Sequence, residues 1–594
     1  MSSMSRRRAP VAVLLLALVA GLAALASPAS SSVPIRATAP RTVAPGSGPA
    51  AAVAGKPPSI VMILMDDFSM DLLPTMPNAM AMVRQGASFT NSFVADSLCC
   101  VSRAALLTGQ FPHLNGVFTN NPNSWANPVG GWVAFRKNGD MSKAFNVALR
   151  NSGYYTGFMG KYLNGYEPSR VDGELVAPET PTGWDAWRPI YGDGYKQWGW
   201  YYSTRQNGKN VLAWRPRSRK DSDYSTNVMS SWAVDFINRT KNAAKPYFLE
   251  VSTYATHSRT NGSAHRDDPL FPPAFYDRAG HAKKYGNCGL VACPNLDVRR
   301  LPGFNDDRTD NTPVYPDGTR AQPWQPNDVV VHTDTENNRF RTRAQMAQSV
   351  DRLIGRVRAS VGPNTYVVLT ADNGYHLGQH RLRLGKSTPY TSDAQVPMVV
   401  VGPGVVPGVR SQVVNNVDVA PTFEEIAGLT PADDRAGSSF LPALQDPSAP
   451  SNRYAFFEHT YSRTNPDTDP DYDTDVGGSS ITMPSYLAVR SKDALLVRWD
   501  LDKSYVGTDY AYELYDYRVN GYERTNLYAA LRDEPWVQDM QNRIEQYSTC
   551  TPQECRDLAR GDEPASTEPP TPEAPPLGDP APADIAAPQQ DDTP

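Results

Sequence analysis

Five short apolar runs, four of which stop at residues with chemical potential, constrain this chain more than any other feature. Residues 60–65 (IVMILM) end at Asp66 and Asp67, 154–159 lead to Lys161, 247–254 lead to His257, and 366–370 (YVVLT) lead to Asp372 and Asn373. The fifth run, 397–401, enters a Gly402-Pro403-Gly404 turn. Between them lie segments with helical patterning, and such alternation marks an α/β domain built on a mostly parallel sheet. Ligand sites in open α/β sheets form beyond the carboxyl ends of the strands, which is where these polar residues fall. The expected fold is a large mixed, mostly parallel sheet sandwiched by helices, with a smaller C-terminal antiparallel-sheet subdomain. The latter is read from the alternating segments Tyr486-Leu487-Ala488-Val489-Arg490 and Ala494-Leu495-Leu496-Val497-Arg498-Trp499.

Adjacent carboxylates repel each other, and a hard divalent cation relieves the repulsion by taking oxygens from both. Asp66-Asp67 alone reads as a solvated turn. Asp372-Asn373-Gly374 repeats the pattern at a second strand end and shifts the reading towards a metal site. An all-oxygen donor set suits calcium or magnesium rather than zinc or copper.

At 594 residues the chain can bury one large core and a smaller one. Its net charge of -5 argues against a nucleic-acid partner. Arg6, Arg7 and Arg8 precede an apolar stretch and the small-residue site Ala24-Leu25-Ala26, so residues 1–26 read as an export signal, by the general or the twin-arginine route. The apolar stretch is short of the ~20 residues a span needs, so no stable membrane span is expected once the signal is cleaved. Residues 27–56 read as a flexible linker, 57–450 as the main domain, 451–556 as the C-terminal subdomain and 557–594 as a disordered Pro-rich acidic tail. Cys288 with Cys293 and Cys550 with Cys555 could each close a small loop, as suits a secreted or cell-envelope protein. A zinc site from these four is the weaker alternative, because neither pair has C-x-x-C spacing.

Residues 97–109 read Ser97-Leu98-Cys99-Cys100-Val101-Ser102-Arg103-Ala104-Ala105-Leu106-Leu107-Thr108-Gly109. This resembles the C-x-P-S-R-x-x-x-x-T-G signature of type I sulfatases, with Val101 where that family usually has Pro. Gly160-Lys161-Tyr162-Leu163-Asn164 resembles the family's G-K-W-H-L-G, in the form of the glucosamine-6-sulfatase branch. Gly385-Lys386-Ser387-Thr388-Pro389-Tyr390, Val417-Asp418-Val419-Ala420-Pro421-Thr422 and Glu513-Leu514-Tyr515-Asp516 resemble later segments, in the family's order, so that the likeness runs from about Pro58 to Leu527.

The resemblance implies an alkaline-phosphatase-like fold and a sulfuric ester hydrolase acting on an O-sulfate ester, such as a 6-sulfated glucosamine unit. It implies that Cys99 is oxidised to formylglycine by a transiently bound formylglycine-generating enzyme. It further implies that Asp66, Asp67, Asp372, Asn373 and modified Cys99 hold one calcium, with magnesium the alternative. One hydroxyl of the hydrated aldehyde would attack sulfur, and loss of the proton from the other would re-form the aldehyde and expel sulfate. Arg103 would orient that diol, Lys161 and Lys386 would meet the ester's charge, and His257 would protonate the leaving oxygen. Leu163 stands where many sulfatases have a second histidine, for which His113, His376 and His380 are the candidate substitutes. The aromatic stretch 184–202 suits either sugar stacking or core packing.

Two rival readings follow. A phosphatase or phosphodiesterase of the same superfamily generally uses Thr or Ser and a second metal, and Asn373 and Cys99 argue against it. A non-catalytic binder of sulfated glycans would result if Val101 blocks conversion of Cys99, although Val, being β-branched, favours the extended backbone that Pro also favours.

Overall fold

The computed structural model describes residues 55–120, 129–206, 209–257, 287–324, 330–382, 384–460, 483–502 and 508–561. The expected signal 1–26, nearly all of the linker and the tail beyond 561 lie outside the described residues. The last helix, Pro552–Arg560, crosses the boundary expected for the tail at 557. Among the described residues no helix is long and apolar enough to cross a membrane.

A ten-stranded sheet runs in the order Gly408–Asn415, Ala87–Phe93, Met398–Val401, Thr365–Ala371, Ser59–Met65, Tyr247–Ser252, Tyr155–Lys161, Ala186–Ile190, Trp200–Gln206, Lys209–Arg215. The central strands from Thr365–Ala371 to Ala186–Ile190 are all parallel. Met398–Val401 and the Trp200–Arg215 hairpin bring in the antiparallel pairs. All five apolar runs are strands of this sheet. Ala87–Phe93 and Gly408–Asn415 carry no continuous apolar run because they lie at one margin and alternate buried with partly exposed positions.

Ser59–Met65 is buried along its whole length, and its two faces feed two cores. Ile60, Met62 and Leu64 pack with Phe145, Leu149, Val419 and Phe423 from helices on one side. Val61, Ile63 and Met65 pack with Met229, Phe236, Val350 and Ile354 from helices on the other. Each such side chain contributes about 1.5–3 kcal/mol relative to exposure. This two-sided burial explains why the central strands read as unbroken apolar runs.

The smaller sheet, Ala455–His459, Tyr486–Arg490, Ala494–Asp500 and Tyr510–Asp516, is antiparallel throughout. One face packs Phe456, Leu496 and Leu514 against helix Pro535–Tyr547, and the other packs Phe457, Leu495 and Trp499 against Phe93, Leu382 and Tyr390. It belongs to the same unit as the large sheet, residues 49–594. Tyr486 Oη donates to Ser387 O at 3.0 Å, and His459 Nδ1 lies 3.2 Å from Asp96 Oδ2. The small sheet therefore braces the two loops that deliver Lys386 and Cys99. Disulfides join Cys288 to Cys293 and Cys550 to Cys555, which excludes a zinc site from those cysteines.

Candidate active site

Thr365–Ala371, Ser59–Met65, Tyr247–Ser252 and Tyr155–Lys161 are successive parallel neighbours, so their carboxyl ends open on one edge. Asp372 and Asn373, Asp66 and Asp67, His257 and Lys161 follow or end these four strands. Gly160 sits at φ +110°, and a Cβ there would lie 1.8 Å from Ser252 O; only glycine lets the strand bring Lys161 this close. Cys99 arrives on a different element, as the first residue of helix Cys99–Thr108, at the positive end of its dipole. Arg103 stands one turn further on.

These side chains are all buried and converge. Cys99 Sγ lies 3.4 Å from Asp66 Oδ1 and 3.7 Å from Asp67 Oδ1. Lys386 Nζ reaches both Cys99 Sγ, at 2.8 Å, and Asp67 Oδ1, at 2.5 Å. Lys161 Nζ donates to both oxygens of Asp66 at 2.8 and 2.9 Å. Arg103 Nε donates to Asp372 Oδ2 at 2.8 Å, and its Nη1 to Lys161 O and Ser252 Oγ. His257 Nε2 lies 3.3 Å from Asp67 Oδ2, and Asn373 Nδ2 donates to Asp67 Oδ1 at 2.7 Å. Every residue singled out at the strand ends and in the cysteine motif thus falls in one cluster.

The charges shape one another. Burial pushes the Asp67 carboxyl up, but His257, Lys386 and Lys161 overcome it and hold the group well below the usual range. Burial also opposes ionisation of Asp372, and Arg103 and Lys161 outweigh it. At Asp66 burial wins over Lys161 and the carboxyl is raised. Burial drives the Cys99 thiol well up despite the two lysines.

The donor set fits a divalent cation. Asn373 Oδ1 is buried and accepts no hydrogen bond among the described residues, and Asp67 Oδ2, also buried, accepts none but faces the His257 ring at 3.3 Å. An acceptor left so costs about 1–3 kcal/mol, which a cation would offset. Asp66, Asp67, Cys99 and Asp372 offer ligand atoms within 4.8 Å of one another. Restoring calcium to chelator-treated protein should therefore raise its melting temperature, by the equivalent of about 2.7 kcal/mol at a hundred times the dissociation constant. Unchanged melting across a calcium titration would count against the site.

None of the three candidate histidines joins this cluster. His113 Nδ1 pairs with Glu458 at 2.7 Å beside the Cys550–Cys555 disulfide. His376 pairs with Asp393, and His380 lies against Asn311, Glu523 and the Tyr390 ring. Most of the 184–202 aromatics are core: Trp184, Trp187, Tyr191, Trp198 and Trp200 are buried. Tyr195 is different, its ring 4.5 Å from that of His257 and 5.2 Å from Lys161 Nζ.

Two contributors escaped the sequence reading, Ser252 and Arg343, and Tyr195 stood there only as one of the aromatic stretch 184–202. Arg343, on helix Thr333–Ser360, donates to Asp67 O and to Thr256 O while stacking over Tyr375 at 4.1 Å. It pins the backbone of Asp67, which has a left-handed φ of 51°, and of the residue before His257. No local pattern distinguishes this arginine from a solvated one.

A family model described as Sulfatase matches residues 58–429. The chain belongs to the sulfatase family. It is 31% identical over 399 residues to the extracellular sulfatase SULF-1 homolog of Drosophila melanogaster, covering 65% of this chain and 31% of that protein. With the human N-acetylglucosamine-6-sulfatase it shares 28% identity over 525 residues, 84% of this chain and 86% of that protein. The chain spans about a third to a half of the length of extracellular sulfatase homologs that it matches in Drosophila melanogaster and Caenorhabditis elegans. The sulfatase fold recurs in a protein solved with its substrate D-glucosamine-2-N,6-O-disulfate, at a TM-score of 0.56 and 18% identity over 83% of this chain and 98% of that one. A Bacteroides fragilis structure matches with a TM-score of 0.61 and 16% identity, over 86% of this chain and 98% of that one.

Proposed function

We propose that this sulfatase hydrolyses the O-sulfate ester of a sugar outside the cell, with Cys99 converted to formylglycine beside one divalent cation, calcium or magnesium. The observation that carries the reading is the meeting of Cys99 Sγ with three buried carboxylates at the strand ends and with two lysines, Lys161 from a strand end and Lys386 from a loop. The names of the relatives, N-acetylglucosamine-6-sulfatases and extracellular sulfatases, support the sugar and the location.

Asp66, Asp67, Asp372 and Asn373 would hold the cation, which would supply Lewis-acid polarisation of the sulfate oxygens. Formylglycine at position 99 would supply a hydrated aldehyde, whose two hydroxyls would serve as nucleophile and as the means of releasing sulfate. The chain itself does the rest. Three carboxylates face Arg103, Lys161 and Lys386, so these six charges balance, and protonated His257 with a divalent cation would leave the site net positive. That excess suits the single charge of a sulfate ester. Lys386, already against Sγ, holds the reacting oxygens, and Lys161 meets the ester's charge. His257, kept beside Asp67 by Thr256 and Tyr195, delivers a proton to the leaving sugar oxygen, which departs poorly as an alkoxide. Arg103 fixes Asp372 and the Lys161 backbone.

Residues 98–103 are all buried and 99–103 are helical, so conversion of Cys99 precedes folding. Burial of Val101 in the helix leaves its extended-backbone preference relevant only to the unfolded chain.

The test compares a sulfate and a phosphate ester of the same aryl alcohol, using protein co-expressed with a formylglycine-generating enzyme. The sulfate should be favoured in kcat/KM by about a hundredfold or more, and the Cys99 peptide should be lighter by about 18 Da than its cysteine form. A preference for phosphate would support the phosphatase reading, and unconverted Cys99 in active protein would remove the nucleophile.

A further inference from the structure

The outer hairpin, Trp200–Gln206 with Lys209–Arg215, has no role in the chemistry above, yet it ends at the same edge of the sheet. Lys161 registers with Ile190, Ile190 with Tyr202, and Tyr202 with Ala213, one line across four strands. At about 4.8 Å per strand, the hairpin lies roughly 10–15 Å from Lys161 along that line. Tyr201 and Trp214 face each other across the hairpin with ring centroids 4.6 Å apart. They are 38% and 49% exposed, whereas the tryptophans of 184–202 are buried. Their ring planes are inclined at 53°, so the solvent-facing pair offers two angled apolar faces with polar tips.

A basic segment continues from it. Between Arg205 and Asp223 the sequence holds six basic residues and two acidic ones, in a chain of net charge -5. Four of the six, Arg215, Arg217, Arg219 and Lys220, follow Trp214 directly, and the last three of these are exposed. One acid pairs at the start of the segment, where Asp223 accepts from Ser218 at 2.6 Å and lies 3.7 Å from Arg215; the other, Asp221, lies 3.6 Å from Arg352 on another helix. The segment is tied towards the reaction centre. Trp198 Nε1 donates to Lys220 O at 3.0 Å, three residues beyond Tyr195, whose ring lies against His257.

We propose that Tyr201, Trp214 and the exposed basic residues Arg217, Arg219 and Lys220 form a second binding surface, outside the reaction centre, for a polysulfated sugar chain. The cations take the sulfates, as Lys- and Arg-rich stretches take polyanions, and the aromatic pair takes the face of a sugar ring. An anionic lipid surface would use the charges but leaves an exposed pair of rings beside an ester-cleaving centre without a purpose. The proposal rests on the sugar-sulfate reading for its choice of polymer, whereas its binding arm needs no turnover.

The experiment uses the full, converted chain, with Trp214→Ala and the pair Arg217→Ala/Arg219→Ala, and heparin as the probe. Each variant should bind heparin about tenfold or more weakly. On a sulfated oligosaccharide kcat/KM should fall by a similar factor, with kcat/KM on a small aryl sulfate and the melting temperature unchanged. Undiminished heparin binding by both variants overturns the proposal, as does equal loss on the two substrates. Binding to anionic vesicles that heparin does not displace overturns it in favour of a lipid surface. If the wild type cleaves no sulfate ester, the hydrolase reading fails while the heparin result still decides the surface.

Discussion

Replacing Cys99 with alanine should abolish turnover of any sulfate ester, by at least about 10⁴-fold in kcat, as removal of a covalent nucleophile does. The fold should survive. Cys99 contacts Lys386 Nζ and the Asp66 and Asp67 carboxylates rather than a large apolar neighbour, and a methyl group fits the same helix turn. Cys99→Ser separates nucleophile from exit: a serine hydroxyl can take the sulfuryl group once, but the resulting ester has no second hydroxyl to expel it. Alanine should give no turnover, and serine at most one sulfate per protein molecule, retained on the peptide and visible by mass spectrometry. An alanine variant within tenfold of wild type would show that the nucleophile lies elsewhere.

Arg103→Ala should damage stability and catalysis together. The guanidinium and Asp372 are both buried and meet at 2.8 Å, and the same side chain serves Lys161 O and Ser252 Oγ. Removing it takes the closest cation from a buried carboxylate and leaves it to the Asp67 N–H and to Lys161 at 4.0 Å, a loss of about 3 kcal/mol. The Asp372 carboxyl is held below its ordinary range by Arg103 and Lys161 against burial, so the charge is retained in the native state near neutral pH. The denaturant midpoint in the presence of chelator should drop accordingly, and added calcium should recover part of it by giving Asp372 a new partner. Arg103→Lys keeps a charge but cannot serve three acceptors in a fixed fork, so it should rescue stability more than kcat. Equal stability of the alanine variant and the wild type would mean that the pair is not a structural element.

The strand-end residues were legible before any tertiary information because each is adjacent in sequence to the run that positions it. Asp66, Asp67, Lys161, Asp372 and Asn373 needed only the observation that apolar runs of strand length stop at polar groups. Lys386, in a loop, and Cys99, in the first turn of a helix, follow no such run; only the family's motif order marked them. The histidines show the limit of motif reasoning. His113, His376 and His380 carry the same chemistry as His257, yet each is spent on a carboxylate elsewhere.

By itself the sequence determined the α/β class, the family and the chemical inventory of the centre, because these follow from local periodicity and contiguous motifs. The tertiary structure alone decided that Thr365–Ala371 lies beside Ser59–Met65, some three hundred residues away, and so that Asp372 meets Asp67. Strand order of this kind is fixed by which faces two helical layers can bury, a property of the whole chain. The same holds for Arg343 on the Asp67 backbone, for the small sheet behind Lys386, and for the exposure of Tyr201 and Trp214. Whether a side chain is braced, buried or open depends on neighbours that no window of sequence contains.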